Sequence, residues 1–387
     1  MLIGRADAPS STRCFATRAI GLVAATWGVA LKASAVVAAA TASLLTASLL
    51  TALLLPASLL PASLVTASLL ISAVANADDA PISARAIDLR GRQALGELTI
   101  VRAYELDASD RRFGGLSGMA LLDGGRRVLA ITDNGLFVVF DLDRDEEGHV
   151  AGFGPAHFVA MTNATGGPLA AGFGDSEELQ ILKSGDVLVS FEHEHRLATF
   201  GPASAFLPAS ISAAGGGLTP KETPFRTPAG LARAPKNGGL EAVLALDDGR
   251  VFAAREKPSD HTGQHPAWLW TSDEGPIDNL VYRTEGGFQP TAFAHLSTSV
   301  AIGLERRYTM MDGIAGRLVR FQIPTAQATE PVRSVELGRF GDGQPCDNFE
   351  AMVTERRSAG GHWVFLLADD NFNPTQHGYF LQLSLPE

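Results

Sequence analysis

The chain has 387 residues, 46% of them hydrophobic and 19% charged, with a formal net charge of −11. A net charge this acidic argues against nucleic acid as a partner, since a phosphate backbone needs clustered lysine and arginine. Its two cysteines, Cys14 and Cys346, are too few for a disulfide framework or a zinc-type cysteine cluster.

Residues 1–32 carry Arg5, Arg13, Arg18 and Lys32 against one acid, Asp7; residues 33–75 carry no charge, and a small-residue site, Ala75-Asn76-Ala77, follows. A basic start, an apolar stretch and such a site read as a long signal peptide over residues 1–77. A repeat of the type Thr41-Ala-Ser-Leu-Leu lengthens the apolar stretch. A membrane anchor is therefore the alternative, since about 20 apolar residues span a bilayer. Pro56 and Pro61 interrupt any single long helix, and cleavage after Ala77 is the favoured reading. The protein would then be periplasmic or secreted in a bacterium, touching membrane only if the segment stays attached. Cleavage leaves 310 residues, enough for one large domain, with a net charge of −14 and Cys346 alone.

Residues 78–94 are mixed and polar and read as a linker, and residues 95–387 as one β domain. Leu98–Tyr104 alternates as a strand. From Phe113 onward, short β runs are broken by Gly, Asp, Asn and Pro, with no convincing helical period. Five stretches then repeat one pattern: Ser117–Asp133, Glu177–Glu192, Glu241–Glu256, Thr291–Glu305 and Glu350–Asp369. Each has a turn at its midpoint, at Gly125, Ser184-Gly185, Asp248-Gly249, Ser297–Ser299 and Ala359–Gly361. Each therefore reads as a β-hairpin with polar residues at its open end. Residues equidistant from a hairpin turn sit opposite each other. Glu177 is thus expected to face Glu192, Glu241 to face Glu256, and Glu350 to face Asp369.

The first polar position recurs at steps of 60, 64, 50 and 59 residues. Units of that size with several strands each indicate an all-β fold, a β-propeller of five or six blades. Leu98–Tyr104 could complete the last blade and close the ring. A sixth, degenerate blade could lie between 201 and 235 or near 260–285. A two-sheet sandwich competes but leaves the phased acids unexplained.

Carboxylates gathered on one face repel each other and must protonate or share a cation. Calcium takes six to eight oxygen ligands from carboxylates and amide carbonyls. Glu177, Glu241, Glu350, Asp369, Asn237 and Asn348 offer such oxygens, and Asp133, Glu192, Glu256, Glu305 and Asp369 form a second ring that would supply a base. The metal set is read as Asp133, Glu177, Glu192, Asn237, Glu241, Glu305, Asn348 and Glu350. Glu177, Glu241, Glu256, Glu350 and Asp369 are the catalytic candidates. Arg196, Arg255 and Arg306 flank these acids and could hold a phosphate bidentately. The structural alternative is that Glu–Arg pairs and Asn side chains merely tie blades and cap turns. His193-Glu194-His195 lacks the spacing of a helical zinc motif.

The ordered set Gly115-Leu-Ser-Gly118 with Thr132-Asp133, Asp175-Ser-Glu177 with Glu192, Asn237-Gly-Gly-Leu-Glu241 with Glu256, Leu304-Glu305-Arg306, and Asp347-Asn-Phe-Glu350 with Asp369-Asp-Asn-Phe372 resembles the phytase-like domain family. These are exported proteins described as having an esterase-like activity of phytase. The resemblance covers about residues 110–387. Two positions depart from it: Asn134 stands where a basic residue is expected, and His377 where arginine is more usual. The expected function is an exported, calcium-type metal-dependent hydrolase acting on a small-molecule phosphate ester. The alternatives are a non-catalytic envelope propeller that binds a ligand or protein, and a lactonase-like calcium enzyme on the same scaffold.

Overall fold

The apolar runs pair into antiparallel sheets in a computed structural model, which describes residues 79–207, 217–259, 262–271, 275–341 and 343–387. The expected signal segment, residues 1–77, lies outside the described residues. Three strands come first: β1 (Ile82–Ala86), β2 (Ala94–Leu95) and β3 (Leu98–Ala108). Blade 1 holds β4 (Leu116–Leu122), β5 (Arg127–Thr132), β6 (Leu136–Arg144), β7 (Val150–Phe153) and β8 (His157–Ala160). Blade 2 holds β9 (Ser176–Ile181), β10 (Asp186–Phe191) and β11 (Arg196–Pro202). Blade 3 holds β12 (Leu240–Ala245), β13 (Val251–Arg255), β14 (Gln264–Thr271) and β15 (Gly275–Arg283). Blade 4 holds β16 (Gln289–His295), β17 (Val300–Thr309), β18 (Gly313–Gln322) and β19 (Val332–Arg339). Blade 5 holds β20 (Asn348–Arg356), β21 (His362–Asp369) and β22 (Gly378–Leu385).

The first strand of each blade packs against the first strand of the next, in the cycle β4, β9, β12, β16, β20 and back to β4. That closed cycle makes the fold a five-bladed β-propeller among the described residues, and it leaves no room at the axis for a sixth blade. The stretch 264–283, where another blade was conceivable, forms the outer strands of blade 3. As expected, β3 completes the last blade: it pairs antiparallel with β22, so blade 5 takes strands from both ends of the domain. The presumed linker is structured as well, because Ile82–Ala86 adds β1 to the outer edge of β3.

Apolar side chains between sheets account for the ring. Among the described residues five buried clusters occur, one at each contact between neighbouring blades. Between blades 3 and 4, for example, Phe252 and Phe293 stack at 5.6 Å, with Tyr282 and Phe321 against them. Truncating one such phenylalanine to alanine costs about 3–5 kcal/mol.

Hydroxyls fasten the inner strands. Ser117 Oγ donates to the Ser176 carbonyl (2.5 Å), Ser176 Oγ to that of Thr132 (2.6 Å), and Ser190 Oγ to that of Leu240 (2.8 Å). Gly118 allows the closest approach: a Cβ there would lie 2.6 Å from the backbone nitrogen of Leu179.

Candidate functional site

The five recurring polar positions share a backbone feature that hairpin symmetry hides. In every inner hairpin the pairing slips by one residue at the open end. Leu240 pairs with Arg255 but Ala242 with Ala254, which leaves Glu241 as the extra residue of a β-bulge. Ser117, Thr291 and Glu350 are extra residues in the same way, and Glu177-Glu178 together oppose Ser190. A bulge bends the strand and re-aims the side chain it carries.

The observed register, slip included, corrects the expected pairs. Glu241 does not face Glu256; the Glu256 amide donates to the Gly239 carbonyl (2.9 Å). Glu177 does not face Glu192, whose amide donates to the Asp175 carbonyl (2.8 Å). Asp369 pairs with Asn348, not Glu350. Asp133 meets Gly115, its amide 3.0 Å from that carbonyl, and in blade 4 Arg306 pairs with Gln289. The second ring is therefore Asp133, Glu192, Glu256, Arg306 and Asp369: four acids and one base.

Glu305 is displaced from the ring for the same reason. It stands one residue short of the ring position, and a one-residue step turns a strand side chain to the other face. It is fully buried, accepts from Arg317 Nε (2.7 Å) and Tyr282 Oη (2.8 Å), and ties blade 3 to blade 4. Arg255 is likewise off the ring, its Nε donating to the Lys257 carbonyl (2.7 Å). Arg196 donates to the Phe173 carbonyl (2.6 Å) and lies 3.8 Å over the Phe191 ring. Burial lowers its pKa to about 10. Of the three arginines expected to hold phosphate, Arg306 alone reaches the acids.

Arg306 Nη2 lies 3.5 Å from Glu256, 3.5 Å from Glu350 and 3.8 Å from Glu241, and Nη1 donates to Asn348 Oδ1. Burial works against its charge, yet Glu350, Glu241 and Glu256 raise its pKa. Asn348 Nδ2 donates to Glu350 Oε1 (2.8 Å). Glu192 Oε1 accepts from the Gly238 and Gly239 amides, and Lys257 pairs with Glu256. Asn237 is exposed and stands outside the carboxylate ring, joined to it through His193. One His193 nitrogen lies 3.0 Å from Asn237 Oδ1 and the other 2.8 Å from Asp175 Oδ2. His195 Nε2 donates to the Pro235 carbonyl (2.8 Å).

The carboxyls hold each other's pKa values up. Burial pushes Glu177 well above the usual range, helped by Glu241, Glu350, Glu192 and Asp175. Burial and Glu256 do the same to Glu241, against Arg306. Burial raises Glu350 too, with Arg306 and Asn348 opposing. Asp133 is pushed up to about 7 by burial, Asp175, Glu350 and Asp370. Asp369 is pushed up to about 9 by burial and Glu350. This is the state in which crowded carboxylates share protons or a cation.

Two acids belong to the cluster that the hairpin reading passed over. Asp175 precedes the bulge, and with Glu177 and Glu192 it offers oxygens within 4.8 Å of one another, enough to hold a metal ion. Asp370 Oδ1 accepts from the Gly115 amide (2.9 Å). Their place in the segments Asp175-Ser-Glu177 and Asp369-Asp370 was the available signal. The donor set is oxygen throughout, which suits a hard divalent cation. Two buried oxygens, Asp133 Oδ1 and Glu241 Oε2, have no hydrogen-bond partner. Such orphaned atoms are what a cation would satisfy. At Asp133 lies a cavity of about 460 Å³, lined also by Asn134, Gly174, Asp175 and His193.

The model of the phytase-like family, described as esterase-like activity of phytase, matches residues 111–372. No curated protein matches the chain. Similar solved structures include a streptogramin B lyase (10% identity, 78% of this chain and 87% of that one, TM-score 0.33). They also include the catalytic domain of a GH62 α-L-arabinofuranosidase from Coprinopsis cinerea (12%, 72% and 95%, 0.39). A third is the PQQ-bound aldose sugar dehydrogenase from Streptomyces coelicolor (14%, 75% and 98%, 0.35).

Proposed function

The chain belongs to the phytase-like family, and from that premise we propose that it is an exported hydrolase which cleaves a phosphate ester at the axial carboxylate ring. The observation that carries this reading is the crowding of Asp133, Asp175, Glu177, Glu192, Glu241, Glu350 and Asp369, whose buried carboxyls raise one another's pKa values, with Arg306 paired to Glu241, Glu256 and Glu350 only and the buried Asp133 Oδ1 left without a hydrogen bond. Asp175, Glu177 and Glu192 would hold a calcium-type ion, with Glu241, Glu350 and Asp133 close by. Bound there, such an ion supplies a Lewis acid for a phosphoryl oxygen and for a water.

The chain's own groups divide the proton work. Asp133, which lines the cavity and whose pKa burial and neighbouring acids push up to about 7 in the metal-free ring, would take a proton from water there. Asp369, pushed up to about 9 in the metal-free ring by burial and Glu350, is the group that would give a proton to a leaving oxygen. Arg306 and Asn348 keep Glu350 fixed between them. The cavity beside Asp133 and Asp175 would receive the substrate.

The full-length protein would be assayed on phosphomonoesters and phosphodiesters with and without calcium. Calcium-dependent turnover on either is the expected result, and none on any of them would sink the proposal. One observation favours a second reading, a neutral ester or lactone as substrate. Arg196 and Arg255 are held by backbone carbonyls, and Arg306 is engaged by three carboxylates, so the ring has little cationic grip on an anion. A lactone included in the same assay separates the two.

A further inference from the structure

A second cavity, of about 530 Å³, opens in blade 4 on the far side of β17 from the acid ring. Five arginines line it, Arg283, Arg307, Arg317, Arg333 and Arg339, against two acids, Glu285 and Glu336. In a chain of net charge −11 this is a local inversion of sign. The guanidinium carbons of Arg317, Arg339 and Arg307 lie 4.2, 4.9 and 5.1 Å from the centre of the Phe288 ring. One aromatic ring thus gathers three cations.

Part of this charge is already met. Glu336 pairs with Arg339 (2.6 Å) and Arg317 (3.4 Å), Glu305 pairs with Arg317 from below, and Asp312 lies 3.7 Å from Arg307. Arg283 and Arg333 are different. They sit side by side in the short parallel pairing of β15 with β19, and among the described residues no carboxylate pairs with either. Like charges on adjacent strands repel. The Nε atoms of Arg283 and Arg307 are buried with no hydrogen-bond partner.

We propose that this cavity is a binding site for a multiply charged phosphate, separate from the axial ring. A guanidinium fork matches a phosphate bidentately, and two or more forks around one cavity select for several charged oxygens. The volume falls in the range of small-ligand pockets. Arg283 and Arg333 would grip the ligand, while Phe288 and Glu336 hold the other forks in place. The site does not depend on the hydrolase reading, because it uses no residue of the ring.

The test is calorimetric titration of the full-length protein with tripolyphosphate in calcium-free buffer, with sulfate as the competitor arm. Saturable binding that weakens with salt is expected, with sulfate much weaker. Arg283→Gln/Arg333→Gln should lose at least about tenfold in affinity, the worth of one charge-assisted hydrogen bond. Glu241→Gln in the ring should leave the affinity unchanged. If the double variant does not fold, Arg333→Gln alone, at an exposed position, carries the same expectation. Absence of saturable binding, equal affinity in the arginine variants, or loss of binding in Glu241→Gln would each overturn the proposal.

Discussion

Glu305 and Arg306 are neighbours on β17 and serve opposite sides of it. Arg306 turns to the carboxylates at the axis, while Glu305 turns to Arg317 and Tyr282 between blades 3 and 4. Glu305→Gln is therefore expected to act on stability alone. Disrupting a buried ion pair costs about 3 kcal/mol or more, readable in urea unfolding. The calcium-induced rise in melting temperature should be unchanged, and its disappearance in this variant would contradict the assignment of Glu305 to the interblade face.

Arg306→Gln should do the reverse to the metal response. Without this guanidinium, Glu241 and Glu350 lose their cationic partner and Glu256 keeps only Lys257, so the three acids repel one another more strongly. The metal-free protein should melt lower and regain more on adding calcium, the gap widening by at least about 5 °C. A gap that narrows would mean that Arg306 helps to bind the cation's partner and does not stand in for a cation.

Glu241→Gln keeps the shape of the bulge and removes one charge from the ring. Calcium affinity should fall, and turnover should drop at least about 100-fold, the scale of losing one electrostatic stabiliser. Thermal shift against calcium concentration and steady-state kinetics would read the two effects. Unchanged values in both would remove Glu241 from the site.

Much of this arrangement was legible in the sequence. Turns at Gly125, Gly185 and Gly249, flanked by apolar runs, marked the inner hairpins, and the steps between them marked the blades. Leu98–Tyr104 was recognisable as the closing strand. What stayed hidden was the bulge. The inner hairpin strands are buried on both faces, as Ala301–Glu305 is. No alternation of apolar and polar residues then marks which face is which. Counting from the turn places Glu305 in the ring; the backbone slip puts Arg306 there instead. Asp175 was missed for the same reason, since it becomes the partner of Glu192 only through the slip.

The metal-free protein should lose stability as the pH rises. Asp133 and Asp369 have their folded-state pKa values raised from 3.8 to about 7 and about 9. A carboxyl whose folded pKa is raised holds its proton more tightly in the folded state. Its contribution is full below the unfolded pKa and is lost as pH passes the folded value. Melting temperature without calcium should fall between about pH 4 and about pH 9, and saturating calcium should flatten that slope. A metal-free protein that grows more stable from pH 5 to pH 8 would show that the ring carboxyls are not protonated as described.

Gly118→Ala tests how closely the inner strands approach. The added methyl would meet the Leu179 backbone at 2.6 Å, and neither strand has a side chain there that can move aside. A loss of about 1–3 kcal/mol is expected from such overpacking, measured by urea denaturation. A neutral substitution would mean that blades 1 and 2 can separate at no cost.

Because β3, which carries β1 on its outer edge, finds the partner for its inner edge in β22, the order of synthesis constrains when this protein can finish folding. A growing polypeptide still short of residue 378 has an open-sided final sheet and a cycle of inner strands without its last covering layer. Contacts that span nearly the whole domain form slowly. Until then the unpaired margin of β3 is free to join another molecule. Tethering the two strands in one shortened permutant should speed this last step and suppress aggregation during refolding.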